Sequence, residues 1–302
     1  DIANLLNKVR GTHFGESKYR KYYSAFKQGI EYEKRKQFNG VVNRILSISD
    51  LHVPFQLPIN VFSKYAGCID TLQINGDVTD CYSLSHFDRI YRVSPIDEII
   101  QARQYLIDLI DFLQPKSVVI VYGNHDARLE RYLSRKLDND ISELMPKTAL
   151  ELIFVDGFKH YNKLDRTKIE YKPLVNVFDG IKIDYTEHWY CQIGQTIFCH
   201  PSAFNSQPLK TAQKAMYFFR NEGKEFTSLV MAHTHRIGQY TIGNTDIFEQ
   251  GCCCDISKDN YNDGKLINSQ REGFIFLGQD KNGKVINYKQ EKLNWILFFF
   301  FE

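Results

Sequence analysis

The 302-residue chain lacks any apolar run near the ~18–20 residues that span a membrane; its longest, Trp295–Phe301, has seven. No membrane-spanning helix, and so no membrane partner, is expected. The chain also lacks a Cys-x-x-Cys pair. Its seven cysteines are Cys68, Cys81, Cys191, Cys199 and the run Cys252–Cys254, an odd number that suits neither a disulfide framework nor a zinc ribbon. A reducing, cytoplasmic compartment is the natural expectation. No signal peptide opens the chain, and it begins with Asp1 rather than Met, so its natural start is expected to be missing. Internal repeats are absent, and 43% hydrophobic with 25% charged residues excludes a collagen-like or wholly disordered chain. A strong net charge is missing too, at +2, but the charge is uneven. Residues 1–44 hold ten Lys/Arg against four Asp/Glu, +6, leaving −4 on the other 258. A basic leading segment on a mildly acidic body is compatible with a polyanionic partner.

What is present divides at about residue 41. Before it, residues 16–37 contain one glycine and no proline, with Tyr19, Tyr22, Tyr23, Phe26, Ile30 and Tyr32 at helical spacing, which predicts a helix with an aromatic face. After it come short Val/Ile-rich runs, Val41–Ile48, Ile69–Ile74, Ser117–Tyr122, Thr196–Cys199 and Ser228–Met231, that read as buried strands. Helices are predicted over Ile96–Leu113, from Asn124 to Leu133, and over Leu209–Arg220. Strands joined by helical crossovers argue for an α/β fold. Gln239–Gln250 and Gly273–Ile286 read as antiparallel strands, and residues 159–190 as a charged, irregular insertion. The expected division is a basic helical segment over 1–40 with a faint helix-turn-helix character, a body over 41–290 and an apolar tail over 291–302.

Chemistry collects where the predicted strands stop. Ile48-Ser49 runs into Asp50-Leu51-His52, and Ile74-Asn75 into Gly76-Asp77. Tyr122 runs into Gly123-Asn124-His125-Asp126, Cys199 into His200, and Ala232 into His233-Thr234-His235. In open α/β sheets ligands bind at the carboxyl ends of strands. Residues two apart in extended chain share a side, so Asp50 with His52, and His233 with His235, can each aim a pair of ligands into one crevice. Any one of these motifs occurs by chance. The ordered set points to a metal centre.

That set resembles the calcineurin-like metallophosphoesterases over roughly residues 41–290, with Ala232 where the last motif usually has glycine. The resemblance implies a four-layer α/β/β/α sandwich preceded by the helical segment. It implies two divalent ions, one on Asp50, His52, Asp77 and His235, the other on Asp77, Asn124, His200 and His233, with Asp77 bridging. It also implies hydrolysis of a phosphoester by a hydroxide between the ions, with His125 as general acid oriented by Asp126. Arg128 is the expected phosphate contact, and Asp80 reads as a cap or a ligand's partner rather than a ligand. Imidazole, carboxylate and amide donors without thiolate favour manganese, with iron or zinc as alternatives. Cys252–Cys254 read as small packing residues, because three adjacent side chains alternate sides. The basic aromatic segment, with Lys18, Arg20, Lys21, Lys27, Lys34, Arg35 and Lys36, tilts the substrate toward the phosphodiester of DNA or RNA; a phosphomonoester is the alternative. The same segment resembles phosphoesterases of phage origin, which would place the enzyme in a host cytoplasm.

Overall fold

A computed structural model describes residues 2–25, 40–85, 93–142, 144–145, 148–162, 166–258 and 270–293. Phe26, Ile30, Tyr32, Lys27, Lys34, Arg35, Lys36 and the tail Trp295–Phe301 lie outside the described residues. The chain forms two compact units, Asp1–Val41 and Val42–Glu302.

In the first unit, α1 (Ile2–Arg10) turns at Gly11 into a second helix that covers the described residues 16–25. Asn7 organises the turn: its Nδ2 donates to Phe14 O at 2.9 Å, while its Oδ1 accepts from Phe14 N at 2.9 Å and Tyr19 Oη at 2.7 Å. Two of the basic side chains face partners of their own, Lys18 over the Phe14 ring at 3.6 Å and Arg20 on Glu16 at 2.7 Å. Tyr22 and Tyr23 are exposed.

The second unit is built on two sheets. The first has β1 (Asn43–Ile48), β2 (Thr71–Asn75), β3 (Ser117–Val121) and β6 (Lys182–Tyr185) in parallel. It continues from β1 into β12 (Gly273–Gln279) and β13 (Val285–Lys292), both antiparallel to their neighbours. The second sheet runs in the order β10 (Ile237–Ile242), β11 (Thr245–Gln250), β9 (Ser228–Met231), β8 (Thr196–Cys199), β7 (Tyr190–Ile193). Their facing sides share one core of Ile45, Val121, Ile275 and Leu277 from the first sheet with Phe198, Val230 and Phe248 from the second. The far side of the second sheet is covered by α3 (Lys210–Asn221), through Ala212, Ala215, Met216 and Phe219. On the first sheet, alternation turns Leu46, Ile48, Leu72, Ile74, Val118 and Ile120 the other way. They are fully buried, as is one stripe of α2 (Pro95–Leu113). Strands buried on both faces explain why β1, β2 and β3 read as unbroken apolar runs.

α2 starts as the sequence requires, with Ser94 at the N-cap, Pro95 in the first turn and Asp97 and Glu98 at the positive end of the helix dipole. It ends at Gln114, whose left-handed conformation (φ 48°) precedes Pro115. The expectation of an irregular stretch over 159–190 is corrected. β4 (Phe158–Asn162) and β5 (Thr167–Tyr171) form a hairpin, and β6 adds an edge to the first sheet. These strands escaped notice because they are edge or isolated strands with largely exposed, charged faces, which give no apolar run.

Candidate metal centre

The carboxyl ends of β1, β2 and β3 deliver Asp50, His52, Asp77, Asn124 and His125, and those of β8 and β9 deliver His200, His233 and His235. The backbone there is not extended. Nine non-glycine residues among those described have positive φ, and five of them are Asp50, His52, Asp77, His233 and His235. Each left-handed residue costs about 1–3 kcal/mol and persists only where surrounding structure holds it. The pairs two apart therefore converge through left-handed kinks rather than through strand alternation. Ala232 is not among the strained residues, so its replacement of glycine is accommodated.

Side-chain hydrogen bonds orient the donor atoms. His52 Nδ1 donates to Asp80 Oδ1 at 2.9 Å and His200 Nδ1 to the Asn75 carbonyl at 2.7 Å, so both Nε2 atoms present lone pairs inward. Asp77 Oδ1 accepts from His125 N at 2.8 Å, which leaves Oδ2 turned into the site. Asp50 Oδ2 accepts from Ser49 Oγ at 2.5 Å, which leaves Oδ1. The inward atoms are close: His200 Nε2 is 3.1 Å from Asp77 Oδ2, and His235 Nε2 is 3.2 Å from both Asp50 Oδ1 and His52 Nε2. His52 Nε2 is 3.9 Å from Asp50 Oδ1 and from Asp77 Oδ2. Asp50 Oδ1, Asn124 Oδ1 and His200 Nε2 are buried and make no hydrogen bond.

Lone pairs aimed at lone pairs in a buried site need protons or cations between them. Donor atoms about 2.1 Å from one ion lie about 3.0–3.4 Å apart when adjacent and up to about 4.2 Å across it, so the observed spacings suit a ligand shell. Four such groups arise among the described residues, and two of them, Asp50 with His52 and Asp77, and Asp77 with His200 and His233, share Asp77. Without a metal, protons take the role. Burial disfavours the His200 cation, but Asp77 and Asp50 outweigh it and raise the pKa to about 9. Burial and the His200 charge push His233 down to about 4. Burial would raise the Asp50 pKa, but His235 and His200 bring it to about 2.

The profile of the calcineurin-like phosphoesterase family matches residues 43–263, more than half of the chain and all of the strand-end motifs up to His235. The chain belongs to the calcineurin-like phosphoesterases. It is a metal-dependent phosphoric ester hydrolase, and the expected family, fold class and enzyme type hold. The profile of the YonJ N-terminal domain matches residues 1–38. No curated protein is matched. Among solved structures, the chain resembles vacuolar protein sorting 29 of Cryptosporidium parvum at 15% identity and TM-score 0.41, covering 83% of this chain and 98% of that one. It resembles zinc-complexed Vps29 of Entamoeba histolytica at 14% and 0.39, covering 83% and 98%. A novel archaeal phosphodiesterase is similar at 13% and 0.37, covering 83% and 99%.

One expectation about this phosphoesterase changes. Asp126 does not orient His125. Its Oδ2 accepts from Gly123 N at 2.9 Å and its Oδ1 from Thr79 N at 3.0 Å and Thr79 Oγ1 at 2.9 Å, which ties together the loops after β2 and β3. The carboxylate on His125 is Asp80, whose Oδ1 lies 2.9 Å from Nδ1 of both His125 and His52. Burial alone would raise the Asp80 pKa; hydrogen bonds from His125 and His52 hold it well below the usual carboxylate range. Arg128 closes the set, with Nη1 donating to the Asp80 carbonyl at 2.8 Å and Nη2 3.0 Å from His125 Nε2.

Glu98 was not singled out by the sequence. Buried on α2, it accepts from the backbone N–H of Cys81 and of Tyr82 and so holds the loop that carries Asp80. Burial and the Asp80 charge push its pKa to about 8. Its only signal was an acidic residue in a first helical turn, which reads as an ordinary dipole contact.

The phosphoesterase motifs need their glycines because backbone packs against Asp77 and His200. A Cβ on Gly123 would fall on Asp77 Oδ1, and one on Gly76 (φ 81°) would sit 2.6 Å from His200 Nδ1. Gly123→Ala is expected to displace Asp77 and weaken manganese binding more than about tenfold, with a stability loss of about 1–3 kcal/mol. Metal titration beside thermal melting checks this; unchanged affinity would show that Asp77 does not hold metal.

Proposed function

We propose that the enzyme is a binuclear phosphodiesterase acting on nucleic acid. The observation that carries the metal reading is the sharing of Asp77 by two groups of inward-facing acceptors. Asp50, His52, Asp77 and His235 would hold one divalent ion, and Asp77, Asn124, His200 and His233 the other. Such ions, when bound, supply Lewis-acid polarisation of phosphoryl oxygens and an acidified water as nucleophile.

The chain's own residues do the rest. In the resting site Arg128 donates to His125 Nε2, and burial lowers the His125 pKa, so the imidazole is neutral with its proton on Nδ1. A phosphate oxygen draws the guanidinium off Nε2, and under the phosphate's charge Nε2 takes up a proton from solvent to give the imidazolium that Asp80 stabilises. As water oxygen bonds to phosphorus and the ester bond breaks, His125 Nε2 gives its proton to the leaving oxygen.

A diester carries one negative charge at phosphorus and a monoester up to two. Arg236 is held by the carbonyls of Asn205 and Ser206 at 3.0 Å, so of these two guanidiniums only that of Arg128 is offered to phosphate, an arrangement that supports the singly charged substrate. The basic, tyrosine-bearing first unit supports a nucleic-acid chain as its carrier. Initial rates with Mn²⁺ on a chromogenic diester, its monoester counterpart and single-stranded DNA test this, with Asp77→Asn as the blank. Diester and DNA cleavage with little monoester turnover is expected; a monoester preference would overturn the substrate reading.

Metal uptake should depend on pH in a direction fixed by His200. With a metal-free pKa of about 9, His200 carries a proton at neutral pH, and that proton must leave as an ion enters. Apparent affinity is therefore expected to climb about tenfold per pH unit from about pH 6 toward 9, then level off. Manganese titration in weak buffer with a pH indicator measures the released proton. Affinity flat across this range would contradict the assignment of His200.

A further inference from the structure

Gly251–Cys254 follows β11 and is stitched between the two loops that carry Asp50 with His52 and His235. Gly251 N donates to Arg236 O at 2.7 Å, Cys253 N to Ser49 O at 2.9 Å, and Leu57 N to Cys253 O at 2.9 Å. Cys254 bridges to Gln56. All three cysteines are buried, and none forms a disulfide. Their side chains alternate. Cys253 Sγ turns to Gly273 O at 3.6 Å and Cys252 Sγ to Arg271 O at 3.5 Å. Cys254 Sγ, on the same side as Cys252 and hydrogen-bonded with its thiol, joins ring nitrogens of His52 and His235 in a group whose members all lie within 4.8 Å of one another. A cysteine that only filled space would face apolar side chains. This one faces two imidazoles, and His52 Nε2 presents a lone pair. Beside them stands a separate sign of a cation, Asp50 Oδ1, which is fully buried, makes no hydrogen bond and lies 3.2 Å from His235 Nε2.

We propose that Cys254 supplies a thiolate to the ion held by Asp50, His52 and His235, which makes that position selective for zinc or ferrous iron over manganese. The inference rests on the metal-centre reading and deepens it. Metal–sulfur bonds of about 2.3 Å and metal–nitrogen bonds of about 2.1 Å put the donors about 3.6 Å apart at tetrahedral angles and about 4.4 Å apart across an ion. The observed group, with all its members within 4.8 Å of one another, comes close to these separations. Thiolate is a soft donor, coordination removes its proton, and a mixed sulfur, nitrogen and oxygen set prefers zinc, iron(II) or cobalt(II) to manganese. The other half of the centre, with Asp77, Asn124, His200 and His233, has no sulfur and takes harder ions equally well. The two positions are thereby unlike, and a mixed-metal centre follows. Where the ligand set read from the sequence had no thiolate, chain folding brings one in.

Cobalt(II) titration of the metal-free, full-length protein tests this by absorption spectra, independent of turnover. Visible ligand-field bands report occupation, and a near-ultraviolet thiolate-to-cobalt charge-transfer band reports sulfur. Wild type is expected to show both, and the visible bands to diminish in Asp77→Asn and His235→Ala. Cys254→Ser and Cys254→Ala should keep the visible bands and lose the charge-transfer band, with zinc affinity down more than about tenfold and manganese affinity within about twofold. Cys252→Ser should keep both bands. Visible bands without the charge-transfer band in wild type would overturn the thiolate while leaving the metal centre intact. No cobalt uptake, or uptake indifferent to Asp77 and His235, would overturn both. The wild-type spectrum decides even if a variant fails to fold.

Discussion

Asp77→Asn should reduce turnover at least about 10³-fold and lower bound metal from two ions to one or none. The expectation follows from the two separate tasks of one side chain. Oδ1 accepts the His125 backbone N–H at 2.8 Å, and Oδ2 faces His200 Nε2 at 3.1 Å within both ligand groups. An amide cannot do both. With its oxygen on the His125 N–H, it turns an NH₂ into the site; flipped, it sets that NH₂ against a donor. The substitution also removes one of the two carboxylates, Asp50 and Asp77, that oppose the charge of two cations. In the metal-free protein the substitution also takes a carboxylate away from the buried, protonated His200, so some loss of stability is expected beside the loss of metal, only partly offset by relief of repulsion with Asp50 and Asp126. Elemental analysis, initial rates and far-ultraviolet dichroism separate these effects. Two ions retained with turnover within tenfold of wild type would sink the shared-ligand assignment.

His125→Ala should leave metal content unchanged and slow the reaction about 10²–10⁴-fold, the usual range for a lost general acid. His125 reaches Asp77 only through its backbone N–H, which alanine keeps, while its ring is held by Asp80 at Nδ1 and meets Arg128 at Nε2. The size of the loss should depend on the leaving group. A nitrophenolate departs without a proton, so the chromogenic diester should suffer least. A sugar alkoxide needs the proton, so DNA cleavage should suffer most. Metal loss on elemental analysis, or an equal loss for both substrates, would remove His125 from the acid role. Asp80→Asn should mimic much of this defect, and it should also loosen His52, because one carboxylate oxygen serves both rings.

Much of this is legible in the sequence. Parallel strands buried on two faces must be continuous apolar runs, so β1, β2, β3, β8 and β9 announced themselves, and the polar residues at their ends stood out by contrast. The charged hairpin β4–β5 and the edge strand β6 were not legible, since exposed strands carry no such pattern. Asp126 was misplaced for a related reason. It is next to His125 in sequence, but adjacent side chains in a tight turn diverge, and Asp126 turns to Thr79 and Gly123 instead.

The sequence by itself determined the Asp, Asn and His residues at the strand ends, their order and the α/β class, because these follow from burial and strand periodicity along a single stretch of chain. Which carboxylate serves His125, that Glu98 braces the Asp80 loop, and that Cys254 stands beside His52 and His235 were decided only by tertiary structure. Those pairings join residues far apart in the chain, and their geometry is set by left-handed kinks at Asp50, His52, Asp77, His233 and His235 that the packed sheets impose.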